Sequence, residues 1–312
     1  MEWYEPYQKL MPGPQAKLLR VWDRFGVPHK ESKQVFGNPL TIIGISVDTE
    51  SMTLNLPLEA RDDLLQELDL WCDDSGQFAR KGAALRRWQQ LAGWLNWSFN
   101  VYPLLRPCLA NVYMKMRGKS NPKGKIRPNN AVRSDLTWAR NHIVASSGVH
   151  LLKCAHWDPH DEADITVFCD ASLQGMGFWI KSLNLGLYAD TIDTQGEEFI
   201  FFHESLCVLS ALHYMDVELG MPRRATIFTD NSNTVDIFNS LAASPRINPI
   251  LKAACDIALE SCSGFKVLFV PGINNQIADA LSRFDFDRAT SLSPGIKLRR
   301  FTPPRVTLGE HL

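Results

Sequence analysis

Two short stretches of the chain have the same shape, "ITVFCD" at 165–170 and "ATIFTD" at 225–230. Each reads as a six-residue strand with Phe two places before a terminal Asp. Laid side by side in parallel, they bring Asp170 and Asp230 to one level at one end of a sheet. Ligands of open α/β sheets gather at the carboxyl ends of strands. Taken singly, either Asp is better read as capping a turn, and the two matched strands weaken that reading. Glu204 lies inside a helical stretch, 197–219, with Val208, Ala211 and Met215 at helical spacing, an apolar row. A carboxylate there is costly unless it is paired or metal-bound, or unless it sits at the margin of the row and reaches water. Asp279 falls one turn inside a short helix, 275–284, where the macrodipole alone favours an acid. Crowded carboxylates raise one another's pKa, and a divalent ion removes that penalty. An all-oxygen set suits Mg²⁺ or Mn²⁺. Two such ions roughly 4 Å apart can activate a water and stabilise the leaving oxygen of a phosphodiester.

The elements around these acids are mixed. Past "WDPHDEAD" the pattern gives strands at 165–170, 175–181 and 185–190, the helix 197–219, and a strand at 225–230. Helices at 232–241 and 246–262, a strand at 265–270 and the helix 275–284 follow. This predicts an α/β layer with helices on a mixed five-stranded sheet. Before it the chain is mostly helical. The spacing predicts helices at 13–30, 58–71, 81–99, 104–116 and 133–153, two short strands around a turn within 39–57, and an exposed loop in "KMRGKSNPKGKIRPNN". The two patterns meet near 155–162.

The 312 residues are 45% hydrophobic and 21% charged, enough for a real core and not a disordered composition. A formal net charge of -1 means that any nucleic-acid binding must come from local patches. No apolar run is long enough to span a bilayer, and the N-terminus is no signal peptide. Seven dispersed cysteines, at 72, 108, 154, 169, 207, 255 and 262, without a C-x-x-C pair suit a reducing compartment. The expected location is intracellular, cytoplasm or nucleus, not secreted.

In order, "FCDAS…GMGFW", "HESLCVLSAL", "FTDNSNTVDIFNS" and "VPGINNQIADALSR" resemble the ribonuclease H (RNase H) domain of reverse-transcribing elements, and "N-x-x-A-D-A-L-S-R" resembles that of gypsy-type and DIRS-type polyproteins. The resemblance covers about 160–285. It implies an RNase H-like fold in which Asp170, Glu204, Asp230 and Asp279 are catalytic, bind two Mg²⁺ (or Mn²⁺) ions and cut the RNA strand of an RNA/DNA hybrid. The loop "FVPGINNQIAD" lacks the His that some family members carry before the last acid. No basic loop joins the helices 232–241 and 246–262, where Arg246 is the only cation. Asn231, just after Asp230, is a candidate contact for the RNA backbone, or a helix N-cap.

Upstream, "FGNPLTIIGISVDTESMTLNLP" resembles the primer-grip hairpin of a reverse-transcriptase palm, and "LRRWQQLAGWLNWSFNVYPLLRPCLANVYMKMRG" the thumb and connection that follow it. Lys115, Arg117, Lys119, Lys123, Lys125 and Arg127 form the densest basic patch, either a nucleic-acid contact with steep salt dependence or a solvated loop. Arg86, Arg87, Trp88, Trp94 and Trp97 interleave cations and aromatics, which suits backbone and base contacts or a helical core with a basic outer face. The polymerase acids of the family stand upstream of the primer grip. "WCDDSG" at 71–76 follows a helix and comes after the hairpin, so Asp73 and Asp74 read as a helix-end turn and no polymerase activity is expected. His150, Cys154, His156 and His160 have weakly metal-like spacing and read as a polar linker. Ser205 and Ser282 have no triad partners.

The expected organisation is a partial palm with a primer-grip-like hairpin at 1–57, a helical thumb/connection at 58–157, an RNase H-like unit at 158–286 and a tail at 287–312. The expected function is metal-dependent RNase H cleavage by a truncated retroelement polymerase. The alternative is a catalytically inert nucleic-acid-binding remnant of a reverse transcriptase. The implied partners are an RNA/DNA hybrid and a polymerase palm or the rest of a polyprotein, with no membrane.

Overall fold

The computed structural model describes residues 1–151, 156–191 and 199–304. The chain opens with a hairpin, β1 (Glu2–Tyr4) and β2 (Lys9–Met11), and helix α1 (Gly13–Arg24), which close a small core of Tyr4, Met11, Ala16 and Leu19. The helix expected within 13–30, with Gly26 and Pro28 as its stop, ends at Arg24, and Gly26 adopts a positive φ. Within 39–57 there are three strands instead of two: β3 (Leu40–Ile42), β4 (Ile45–Asp48) and β5 (Thr53–Asn55).

Helices α2 (Leu58–Cys72), α3 (Gln77–Lys81) and α4 (Leu85–Ser98) follow, with β6 (Ala83–Ala84) between the last two. A 3₁₀ turn over Pro103–Leu109 leads into α5 (Ala110–Met116). Pro107 blocks an α-helix over the whole of 104–116. The basic stretch then pairs back on β6 through β7 (Lys125–Ile126) and leads to α6 (Asn130–Ala145), capped by the Asn129 side chain. The helix expected over 133–153 stops at Ala145, and β8 (Val149–Leu151) instead adds a fourth strand to the hairpin sheet by pairing with β5.

Leu64, Leu68, Trp71, Trp88, Leu95 and Leu136 are fully buried at the centre of these helices, with Trp71 and Trp88 edge to face at 4.8 Å. So Trp88 is core, and Trp97 donates its indole N–H to the Ile43 carbonyl. Gly93 is exposed in the middle of α4, and a Cβ there would meet nothing within 4 Å. Gly93→Ala should therefore stabilise the protein by about 0.5–1 kcal/mol, read as a higher denaturation midpoint.

The second half contains β9 (Ile165–Ala171), β10 (Gly175–Ile180), β11 (Leu185–Asp190), α7 (Phe199–Tyr214), β12 (Arg224–Thr229), α8 (Ser232–Ser240), α9 (Asn248–Glu260), β13 (Gly264–Phe269), α10 (Gln276–Ser282), α11 (Phe286–Leu292) and β14 (Lys297–Arg300). The sheet order is β13-β12-β9-β10-β11-β14, and β10 alone runs against the others. This is the expected α/β class, an RNase H-like mixed sheet with helices, but with six strands instead of the expected five, because β14 adds one beyond β11. The main core lies on the face covered by α7 and α9, around Val167, Phe178, Leu206 and Leu251. A smaller cluster on the other face joins Leu281 and Ala280 of α10 to Ala289 of α11 and to Trp179.

One boundary needs correcting. The stretch read as a tail, 287–312, holds most of α11 and the strand β14. Its β14 pairs in parallel with β11, and Phe301 is buried against Phe178. The prolines that suggested a loose tail flank this strand, and alternation over four residues is too short to announce one. Residues 305–312 lie outside the described residues.

Candidate active site

Strand register brings the first two acids together. Val167 pairs with Ile227, Phe168 with Phe228 and Cys169 with Thr229, so Asp170 and Asp230 leave neighbouring parallel strands at one level. Phe168 and Phe228, two places before them, stack at 5.1 Å between centroids. The repeated shape of "ITVFCD" and "ATIFTD" is thus a spatial repeat. Glu204 enters from the first turns of α7, and the Thr229 hydroxyl donates to its Oε2 at 3.4 Å.

One carboxylate oxygen from each of Asp170, Glu204 and Asp230 lies within 4.8 Å of the others. Asp170 and Glu204 are about 5% exposed or less, and Asp230 is partly buried. Burial, then the charges of Asp230 and Asp279, push Asp170 up to about 7 despite a hydrogen bond from Ser282. Burial, then Asp170 and Asp230, push Glu204 up to about 9. Burial also raises Asp230, helped by Asp279. Three acids all driven toward the neutral form, with oxygens converging, are what a divalent cation would relieve, and the donor set is all oxygen.

Asp279 does not join the three. Burial would raise its pKa, but hydrogen bonds from Arg283 and Arg288 outweigh that and lower it. Arg283 Nε reaches Oδ1 at 2.7 Å, and an Arg288 Nη reaches Oδ2 at 2.6 Å. Its charge still raises both Asp170 and Asp230, so it stands at the edge of the cluster. Asn231 caps α8, its Oδ1 accepting from the Thr234 N–H at 3.0 Å.

Two glycines explain how the last helix reaches this place. Gly177 pairs with Asp170 across β9 and β10. A Cβ on Gly177 would lie 2.5 Å from the Leu281 Cβ and 2.6 Å from the Ser282 N, and one on Gly175 would meet Phe284 at 2.5 Å. These positions let α10 lie directly on the sheet. Fully buried Asn275 donates to the Cys169 carbonyl at 2.9 Å, just before Asp170. Arg283 and Arg288 have no part in the sequence reading, which treats Ser282 only as a nucleophile without triad partners and Asn275 only as a helix cap. Asn275, Ser282 and Arg283 stand inside "N-x-x-A-D-A-L-S-R", with Ser282 and Arg283 three and four residues after Asp279, which is same-face helical spacing.

Of the other candidates, Lys115, Arg117, Lys119, Lys125 and Arg127 line a concave surface enclosing about 650 Å³ on the first half, and Lys123 lies beside it. Among the described residues none of these six forms an ion pair with an acid. Asp73 accepts from the backbone and hydroxyl of Ser75 at the end of α2, the expected helix-end turn. His150, His156 and His160 do not form a metal-binding group among the described residues, and Cys154 lies outside them. Among the described residues no helix is long and apolar enough to cross a membrane.

No family model matches the chain, and no curated protein matches its sequence. Among solved structures, RNase H1 from the halophilic archaeon Halobacterium salinarum NRC-1 is 15% identical over 39% of this chain and 97% of that one, with a TM-score of 0.31. The N-terminal RNase H domain of a Mycobacterium tuberculosis protein, fused to maltose binding protein, is 16% identical over 42% of this chain and 99% of that one, with a TM-score of 0.28. The foamy viral protease-reverse transcriptase in complex with RNA/DNA hybrid is 13% identical over 83% of this chain, with a TM-score of 0.32, and the match spans 34% of that chain's length. Likenesses this distant leave the RNase H-like fold resting on strand order and register.

Proposed function

We propose that this chain is the RNase H part of a retroelement polymerase of gypsy or DIRS type, and that it cuts the RNA strand of RNA/DNA hybrids in a divalent-metal-dependent reaction. The observation that carries this reading is the convergence of Asp170, Glu204 and Asp230, with one oxygen of each within 4.8 Å of the others at the carboxyl ends of two parallel strands. These three residues would hold Mg²⁺ or Mn²⁺, with Asp279 as a further ligand once it leaves its arginines. Two bound ions would supply an activated water and charge stabilisation at the leaving oxygen. The protein's own contribution is to keep the carboxylates buried, preset and close, so that little reorganisation is needed when they ionise. The unpaired cations of 115–127 and the amide of Asn231 are the proposed backbone contacts. Such contacts would recognise the shape and 2′-hydroxyls of the RNA strand, not its bases.

The reading is tested by incubating a body-labelled RNA/DNA hybrid with the protein in Mg²⁺, in excess chelator, and beside a duplex-DNA control. RNA fragments with 3′-hydroxyl ends are expected in Mg²⁺ alone, with the DNA duplex intact. One observation favours the second reading, an inert nucleic-acid-binding remnant: Asp279 is held by Arg283 and Arg288 away from the other three acids. Tight hybrid binding without any cleavage in Mg²⁺ or Mn²⁺ would establish that alternative.

A further inference from the structure

We infer that Ser282 is a positioning residue for the metal site, its hydroxyl fixing the Asp170 carboxylate in the orientation that ligation needs. The inference rests on the metal-dependent reading above. Ser282 is fully buried at the end of α10, and its Oγ lies 2.5 Å from Asp170 Oδ2. The same Oγ lies 2.9 Å from the Asp279 carbonyl, one turn back. A serine that only bonds the preceding turn of its own helix is commonplace. Here the shorter contact is the one to the acid, across 112 residues of sequence. The hydroxyl has one proton and two acceptors, and an ionised carboxylate is the stronger of them.

The link is built from both sides. Ser172, two residues beyond Asp170, donates its hydroxyl to the Ser282 carbonyl at 2.8 Å. The Ser172 Oγ in turn accepts from the N–H groups of Gln174 and Gly175, at 3.0 and 3.2 Å. Asp170 and Ser172 therefore bind the side chain and the backbone of one residue. Ser282 comes this close because Gly177, which pairs with Asp170, has no side chain to hold α10 off the sheet. The consequence for the site is directional. With Oδ2 held, rotation of the Asp170 carboxyl group is restricted, and so is the direction in which it offers an oxygen to the cluster with Glu204 and Asp230. Without the hydroxyl, a metal ion would have to order that group itself. Hydrogen-bond partners of ligating carboxylates commonly contribute on that scale.

The test is Mg²⁺ binding by the full chain, followed as the rise in melting midpoint over a MgCl₂ titration, a readout independent of cleavage. Ser282→Ala should raise the half-saturating Mg²⁺ concentration by about tenfold or more. Ser282→Cys, of nearly the same size but a weak donor, should do the same, and it carries the test if the alanine variant does not fold. Ser282→Thr, which keeps the hydroxyl, should stay near wild type. Wild-type half-saturation in the alanine or cysteine variant would overturn the proposal, and so would a folded threonine variant as weak as alanine. If the wild type itself shows no Mg²⁺-dependent rise, the metal site falls and this proposal with it. A normal wild-type rise with unaffected variants removes the role of Ser282 alone.

Discussion

At pH 8 in a chelating buffer, Glu204→Gln should melt above the wild type by about 5 °C or more, while losing hybrid cleavage in Mg²⁺. Glu204 is buried beside two further acids and its pKa is pushed up to about 9. In the unfolded chain it titrates near 4.5. Between those values the folded state binds the proton more tightly than the unfolded state does. Its contribution to stability is therefore complete below about pH 4.5 and is lost steadily as the pH climbs toward 9. At pH 8 the loss is roughly 4–5 kcal/mol as an upper bound, since each unit corresponds to about 1.4 kcal/mol. A neutral amide removes it. On the proposed reading the same substitution would remove a metal ligand, and forfeiting several kcal/mol of charge stabilisation would slow cleavage by about a hundredfold or more. Differential scanning fluorimetry from pH 5 to 9, with and without Mg²⁺, reads the first effect. The wild type should lose midpoint with rising pH and recover it in Mg²⁺, and the variant should lose and recover less, its remaining slope coming from Asp170 and Asp230. Equal pH slopes for the two proteins would show that Glu204 does not carry this cost.

The second large effect is expected at Gly177. Gly177→Ala places a methyl 2.5–2.6 Å from the Leu281 Cβ and the Ser282 backbone N. Backbone cannot swing aside as a side chain can, so α10 must lift off the sheet. Overpacking of this kind costs typically 1–3 kcal/mol, and more where the backbone is the obstacle. The midpoint should fall by several degrees, about 2–4 °C per kcal/mol for a unit of this size. Cleavage should fall further than stability alone explains, because α10 carries both Ser282 and Asp279. Activity measured well below the melting transition separates the two effects. A wild-type midpoint would mean that α10 does not lie on Gly177 as described.

Much of the second half was legible because its signals are periodic and local. The strand at 185–190 is found at those residues, and the paired strands around 165–170 and 225–230 differ from the expected bounds by one residue. Three of the four acids converge as their strand-end and helix positions imply. What the sequence hid was long-range. Nothing local in "KLRR" announces a strand that pairs beside β11, and nothing local in Val149–Leu151 says that this segment leaves a helix to join a hairpin. At the site, the pairing of Asp279 with Arg288 depends on how α11 folds back, which no spacing rule gives. Ser282 was passed over because a buried serine was weighed only as a nucleophile, and its partner stands 112 residues away.

The contact between the halves has its own consequence. Asn248, Lys252 and Asp256 recur every fourth residue along α9, and their partners all come from the first half. Asn248 donates to the Pro107 carbonyl, Lys252 pairs with Asp135 at 3.0 Å, and Asp256 accepts from Trp138 and lies 2.8 Å from the His142 ring. The seam is polar along this row, but Leu259 of the same helix packs on the first half's core, so opening it would also uncover apolar surface. On the proposed reading it would set how a gripping half and a cutting half lie along one duplex, and the largely buried Lys252–Asp135 pair would be little loosened by added salt.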